Sequence, residues 1–143
     1  MKDVLITIKT NQTYHDGTKD GMEFSTDGQY SFGKTGAMFS YMESVLTGLE
    51  GTKTTFIIRK DNVTMNREGT LTTRMIFEEG KNHRFLYQTP YGAATMGVET
   101  RYIRQNLNEG GGEMEIHYAT DLEHNPIGTN SFYITIREQK GTM

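Results

Sequence analysis

The side chains with the clearest capacity for chemistry in this sequence are tyrosines accompanied by an arginine. Tyr102 and Arg104 lie two residues apart, and side chains two apart on a β-strand project from the same face. A phenol hydroxyl and a guanidinium together can orient an amphipathic carboxylate, because the guanidinium binds a carboxylate through two parallel hydrogen bonds. The pair therefore predicts a binding site for a small amphipathic or anionic molecule.

Further candidates occupy comparable positions on other predicted strands. The remaining members of the predicted ligand-binding set are Tyr41, Glu43, Tyr87 and Tyr118. The chain has eight Tyr and no Trp, so phenol rings are its main amphipathic aromatic groups. The alternative interpretation is that these rings fill the core and that Arg104 lies in solvent at a strand end, because small barrels are often filled by their own side chains.

Nucleophilic and general acid–base catalysis have no clear residues to carry them. The chain lacks Cys, and no Ser lies in the strained glycine elbow typical of hydrolases. Glu113 and Glu115 share one strand face. The opposite face carries Met114 and Ile116, which predicts that both carboxylates are solvated. We therefore lean against an enzyme, although the sequence leaves that class open.

Metal and phosphate sites are indicated only weakly. His117, Asp121 and Glu123 could gather near one turn, but they lack metal-ligand spacing and are predicted to be exposed polar residues. Gly110-Gly-Gly112 joins two strands, whereas a phosphate-binding glycine loop leads into a helix N-terminus. The three glycines therefore predict a hairpin turn. For Glu50, in a glycine-flanked connection, turn formation is the preferred interpretation. We expect no metal and no cofactor.

Composition narrows the class of protein. The net charge is -3 over 143 residues, and Lys and Arg are scattered among acidic residues, so no nucleic-acid partner is expected. No apolar run approaches the length of a membrane span, and the run at residues 4–8 is too short for the core of a signal peptide. Together with the absence of Cys, this favours a cytoplasmic protein without membrane association.

The elements that must position these residues are β-strands. Residues 89–118 read as two long strands around a glycine turn. On the first strand the alternation places Met96, Val98 and Tyr102 on one face, and Arg104 continues it. Tyr102 and Arg104 are therefore predicted to lie on the dry face, where the strand passes from the interior to a polar mouth.

The rest of the chain repeats this pattern in shorter strands. Sixteen Gly against two Pro is typical of strands joined by glycine turns, and the spacing predicts about eight to ten strands. Asp27-Gly28 is read either as a hairpin turn or as a bulge in one long strand. The region around Leu46 allows one helical turn at most. We predict a single all-β domain over residues 1–143, an antiparallel barrel with room for its own side chains or one small ligand.

Several blocks of the sequence also resemble a known family. These blocks, in order, are Lys2-Asp-Val-Leu-Ile-Thr-Ile8, Tyr41-Met-Glu43, Leu46-Thr-Gly-Leu-Glu-Gly-Thr52, Thr89-Pro-Tyr-Gly92, Gly97-Val98 and Leu107-Asn-Glu-Gly-Gly-Gly-Glu-Met-Glu-Ile-His-Tyr118. They look like the YwiB family of small uncharacterised bacterial proteins, over nearly the whole chain. The resemblance implies a lipocalin-like (calycin) β-barrel. It implies no activity, because the family has no assigned function and no established catalytic residues.

Three functions are compatible with these features, and an enzyme acting on a small substrate has the least support. The leading hypothesis is non-catalytic binding of a small amphipathic or apolar ligand inside the barrel. The alternative is a protein-interaction or accessory module with a filled barrel, which would bind an unknown partner through a rim loop or an incompletely closed strand edge.

Overall fold

The structure, a computed structural model, describes residues 1–69, 72–89 and 92–139. The strands are β1 (Lys2–Tyr14), β2 (Lys19–Gly33), β3 (Gly36–Met42), β4 (Lys53–Ile58), β5 (Val63–Glu68), β6 (Thr73–Phe77), β7 (Asn82–Thr89), β8 (Gly92–Asn108), β9 (Gly111–Leu122) and β10 (Asn125–Glu138). A single 3-10 turn, Val45–Thr47, lies between β3 and β4. Within the described residues, no helix has the length and apolar character needed to cross a membrane.

All ten strands belong to one antiparallel sheet with the order β6-β5-β4-β3-β2-β1-β10-β9-β8-β7. β1 pairs with both β2 and β10, so the first and last strands are neighbours in the middle of the sheet. The two edge strands, β6 and β7, are consecutive in the chain, and the sheet curls until they lie close together. The predicted all-β antiparallel barrel of eight to ten strands is confirmed, and the barrel is nearly closed.

The seam of the barrel is formed by the short turn at residues 78–81. Glu78 N–H donates to Thr100 Oγ1 at 3.2 Å, and Gly80 N–H donates to the Thr100 carbonyl oxygen at 2.9 Å. β7 pairs with β8 only over residues 92–99 of β8. Beyond Thr100, β8 continues to Asn108 with a ladder to β9. On its other side this half of β8 has no ladder partner in the described part of the chain.

Aromatic side chains fill the middle of the barrel. Phe39 stacks on Phe56 with ring centroids 4.7 Å apart. Phe132 meets the rings of Phe56 and Phe77 edge-on at 5.8 and 6.2 Å. Tyr30 is fully buried and donates its hydroxyl to the Asn108 carbonyl at 2.6 Å. The interior at this level is therefore a packed core, as in other small barrels.

Gly28 lies in the interior of β2. The register with β1 is unbroken from Lys2–Tyr30 to Thr13–Lys19, so β2 is one long strand and contains neither a turn nor a bulge at this glycine. A Cβ added to Gly28 would lie 2.4 Å from Cδ1 of Ile6 and 2.5 Å from the carbonyl oxygen of Ser40. Glycine is needed here because the Ile6 side chain and the β3 backbone occupy the space that a side chain would require.

Replacing this glycine should destabilise the fold. Gly28→Ala is expected to lower the free energy of unfolding by about 2 kcal/mol, because Ile6 and the backbone of β3 must move to admit the methyl group. Gly33→Ala in the same strand is the matched control, since its added Cβ meets no atom within 4 Å. Urea unfolding followed by circular dichroism measures both variants. Equal destabilisation by the two substitutions would contradict the close packing at Gly28.

Candidate ligand-binding site

A row of inward-facing polar residues crosses four strands at one end of the barrel. Tyr41 on β3 pairs with Thr54 on β4, Thr54 pairs with Arg67 on β5, and Arg67 pairs with Thr73 on β6. Direct cross-strand partners share one face of a sheet, so the four side chains line up along the inner wall. We call this region the polar end, and its members are Tyr41, Glu43, Thr54, Arg67, Thr73 and Tyr118.

Glu43 is the central residue of the polar end. It follows the last residue of β3, where its N–H donates to the Thr52 carbonyl at 2.8 Å. Its side chain is only 1% exposed. Oε2 accepts a hydrogen bond from the Thr54 hydroxyl and lies 3.7 Å from Nε of Arg67. A buried carboxylate is tolerated when a cation and hydrogen-bond donors compensate its lost hydration, and Arg67 and Thr54 supply both.

Three polar atoms of this region are buried without a hydrogen-bond partner among the described residues. They are Oε1 of Glu43, Nε of Arg67 and Oγ1 of Thr73. Buried polar atoms are almost always hydrogen-bonded. These neighbouring atoms therefore indicate that a further group can form hydrogen bonds here. The Arg67 side chain remains 22% exposed, so part of it meets water at this end of the barrel.

Two tyrosines flank the ion pair. Burial, reinforced by the negative charge of Glu43, raises the pKa of Tyr41 well above its usual value. Burial likewise raises the pKa of Tyr118, and the charge of Arg67 opposes that shift. The Tyr118 ring packs edge-on against Phe77 at 4.9 Å. Both phenols therefore stay protonated at neutral pH, and their rings give the polar end apolar walls.

The connection at residues 44–51 lies over this end of the barrel. It contains the 3-10 turn Val45–Thr47, within the limit of one helical turn predicted around Leu46. The Ser44 hydroxyl accepts the Leu46 N–H at 3.2 Å, and Gly48 ends the turn with a φ of 77°. Val45 and Leu46 are 73% and 61% exposed. Because the turn buries no side chain, its displacement would sacrifice little packing.

The predicted positions of Tyr102 and Arg104 are wrong. The register with β9 shifts between Thr100 and Tyr102, so Arg101 is an extra residue that reverses the alternation of every side chain after it. Thr100 is buried in the interior, whereas Tyr102 lies on the outer face and stacks on His117 at 4.2 Å. The Arg104 guanidinium lies 4.9 Å from the centroid of the Tyr102 ring, also outside the barrel.

Of the predicted set, the polar end brings together Tyr41, Glu43 and Tyr118. Tyr87 pairs with Ala94 on β8 and is half-buried. The arginine of the site is Arg67, which sequence reasoning missed. The sequence pattern that predicts its inward position was present, because Arg67 continues the alternation of the buried residues Val63 and Met65. The ligand-binding role of all six predicted residues remains a prediction.

Comparison with known proteins agrees with the fold. Residues 6–134 match a family model described as Domain of unknown function (DUF1934). The chain belongs to this family. The crystal structure of the YwiB protein from Bacillus subtilis matches with a TM-score of 0.78 over 97% of this chain and 93% of that chain. At 22% sequence identity the likeness concerns the fold alone.

The resemblance to YwiB-like proteins predicted from the sequence blocks is thus confirmed, while a lipocalin-like character remains a prediction. Pro90 and Tyr91 of the fourth block lie outside the described residues. None of the curated proteins compared with the sequence matches it.

Removing the cation of the polar end should destabilise the protein strongly. Arg67→Met leaves the Glu43 carboxylate buried without its counter-charge, and we expect a loss of about 3 kcal/mol in the free energy of unfolding. Adding Glu43→Gln to that variant should restore most of the loss, because the uncompensated charge is then absent. Urea denaturation of the single and double variants measures the coupling. Additive effects of the two substitutions would contradict an interaction between these side chains.

Burial of Tyr41 should also affect stability at alkaline pH. Its pKa is higher in the folded than in the unfolded chain, so the folded state holds a proton that the unfolded state loses above about pH 10, and stability must fall as pH rises. Tyr41→Phe removes this contribution. Between pH 10 and 11 its unfolding free energy should decline less steeply than that of the wild type, by up to about 1.4 kcal/mol per pH unit.

The control for this experiment is Tyr14→Phe, because Tyr14 is 37% exposed and its hydroxyl meets water in both states. Thermal or urea unfolding at several pH values gives the slopes. The interpretation fails if both tyrosine substitutions change the slope by the same amount.

Proposed function

We propose that this protein binds a small amphipathic molecule at the polar end of the barrel, without catalysis. The observation that carries the proposal is the set of buried atoms that have no hydrogen-bond partner among the described residues, above all Oε1 of Glu43 on a side chain that is 1% exposed. A buried carboxylate oxygen gains most from a donor that reaches it without bulk water. A ligand head group inserted at the mouth would supply that donor.

The charges of the site favour a neutral head group. Nε of Arg67 already lies 3.7 Å from Oε2 of Glu43. The two charges balance, so the pair presents no net charge to a ligand. A suitable group donates to Oε1 of Glu43 and accepts from Nε of Arg67 or the Thr73 hydroxyl. A hydroxyl or a primary amide meets both requirements. A carboxylate, the head group that an arginine at position 104 would favour, would be repelled by Glu43 at this site.

The apolar part of the ligand has a defined location in this proposal. The middle of the barrel is filled by rings, so the ligand would lie near the mouth rather than along the axis. There the Phe24 and Tyr41 rings meet edge-on at 6.2 Å. The connection at residues 44–51 would cover the ligand from above, and Val45 and Leu46 would lose their exposure to water on closing.

The chemistry of the polar end supports binding more than proton transfer. Tyr41 and Tyr118 have raised pKa values because they are buried, which makes them hydrogen-bond donors rather than bases at neutral pH. The Glu43 carboxylate is engaged by Thr54 and Arg67. These groups fit recognition of a polar head group.

Native mass spectrometry of the freshly purified protein tests the proposal. We expect a mass above that of the polypeptide, and loss of the excess after denaturing extraction. Glu43→Gln should reduce the bound fraction at least tenfold, because the amide cannot serve as the same double acceptor. Glu113→Gln on the exposed outer face is the matched control and should bind as the wild type does.

Binding of neutral long-chain alcohols and primary amides of graded length provides the second measurement, made by calorimetry on protein that has been refolded after the extraction. Saturable binding that Glu43→Gln weakens and Glu113→Gln does not would support the proposal. Absence of a retained molecule together with no saturable binding of either series would contradict it.

A further inference from the structure

The second half of β8 is an open strand edge at the end of the barrel opposite the polar end. In an antiparallel strand the N–H and C=O groups of successive residues point to opposite neighbours. Ile103 and Leu107 donate their N–H groups to side chains rather than to β9, so Gln105, which has the same parity, also points away from β9. We call the backbone groups of Ile103, Gln105 and Leu107 the β8 edge.

Side chains of the protein itself cover part of the β8 edge. Glu79 Oε1 accepts the N–H of Ile103 at 2.7 Å. The side chain of Gln105 accepts the N–H of Leu107 at 3.2 Å. Natural sheets protect their exposed edges with charged and polar side chains in this way, since an unprotected edge pairs readily with another chain. The caps are single side chains, which a competing strand can displace.

A groove runs along the β8 edge. One part has a volume of about 710 Å³ and is bounded by β8, the β4–β5 turn at residues 59–62 and the acidic pair Glu78 and Glu79. A second part of about 350 Å³ continues along the β2–β3 turn to Leu107. Five residues of strand, from Ile103 to Leu107, extend about 13 Å. The groove therefore follows the whole edge and is bounded on its far side by turns.

We propose that the β8 edge binds an extended segment of a partner protein, which adds to the sheet as an extra strand. This proposal is independent of ligand binding at the polar end and uses the opposite end of the barrel. Main-chain hydrogen bonds to Ile103, Gln105 and Leu107 would supply the affinity. Alternate side chains of the partner segment would supply the specificity. The added strand would occupy the gap that keeps the barrel from closing.

The lining of the groove defines the sequence of such a segment. Its inner wall includes Ile58, Val63 and Ile103, so every second residue of the segment should be apolar. Its outer rim carries both signs of charge, with Arg104 and Lys60 near Asp61 and Glu79. The alternate residues should therefore be polar and need no net charge.

A second copy of this chain fits the groove less well than a single extended segment. The β8 edge of a second copy likewise has no ladder partner among the described residues, but it belongs to a barrel wall, and a groove bounded on its far side by turns admits one extended strand more readily than a second barrel. Self-association through the β8 edge is therefore an outcome that the test must distinguish.

The test uses a library of seven-residue peptides with Val, Ile, Leu, Phe or Tyr at alternate positions and Thr or Lys between them. Titration is followed by NMR amide shifts of the full-length protein. We expect at least one peptide to shift the amides of Ile103, Gln105 and Leu107 most strongly, with amide-to-amide NOEs across the new pair. Methylating the peptide nitrogens that face β8 should abolish binding, because each methyl group removes a main-chain donor.

Two variants make the test specific. Glu79→Ala releases the N–H of Ile103 and should tighten peptide binding about tenfold, whereas Glu109→Ala in the exposed β8–β9 turn should leave it unchanged. Gln105→Pro removes an edge-facing N–H without touching the ladder to β9 and should bind at least tenfold more weakly than Gln105→Ala, which loses the same side-chain cap of Leu107 and keeps the N–H. The proposal is overturned if no peptide of the library shifts these amides in the wild type or in Glu79→Ala. It is also overturned if the edge is perturbed only by self-association, seen as a dimer in ultracentrifugation.

Discussion

The arrangement of this barrel depends on a change of neighbours in β8. Up to Thr100 the strand lies between β7 and β9, and after Thr100 it pairs with β9 alone in the described part of the chain. The extra residue Arg101 stands at this change, where the turn at residues 78–81 meets the strand. A bulge reverses the faces of all later side chains. It therefore places Tyr102 outside, directs Ile103 to the core, and leaves one side of the strand open.

The two ends of the barrel differ in consequence. At the polar end, Glu43 and Arg67 are held by four consecutively paired strands, and their side chains carry buried polar atoms that have no hydrogen-bond partner among the described residues. At the other end the backbone of β8 itself is incompletely paired. The packed rings between them, Phe39, Phe56 and Phe77 among others, separate the two ends. A small molecule would thus bind side-chain groups at the polar end. An extended peptide would bind backbone groups of β8 at the other end.

The sequence was sufficient for the fold class because alternation is a direct consequence of strand geometry. It was sufficient for the inward position of Tyr41, Glu43 and Tyr118, because they lie on regular strands or directly beyond one, while their ligand-binding role remains a prediction. It failed at Tyr102 and Arg104 because nothing in the local residues marks the bulge, and a slip of one residue inverts a strand. Gly28 shows a second limit, since the contact that requires glycine there comes from Ile6 and from β3, and no local pattern reports it.

Hydrogen–deuterium exchange of individual backbone amides, measured by NMR, tests the change of neighbours in β8 most directly. The account predicts slow exchange for Arg104 and Asn106, whose N–H groups face β9, and fast exchange for Gln105, whose N–H faces the groove. Ile103, capped by Glu79, should be intermediate. Uniform protection from Tyr102 to Leu107 would show that the barrel is closed along this strand, and the opposite alternation would show that Arg101 is not a bulge. Either result would contradict the account.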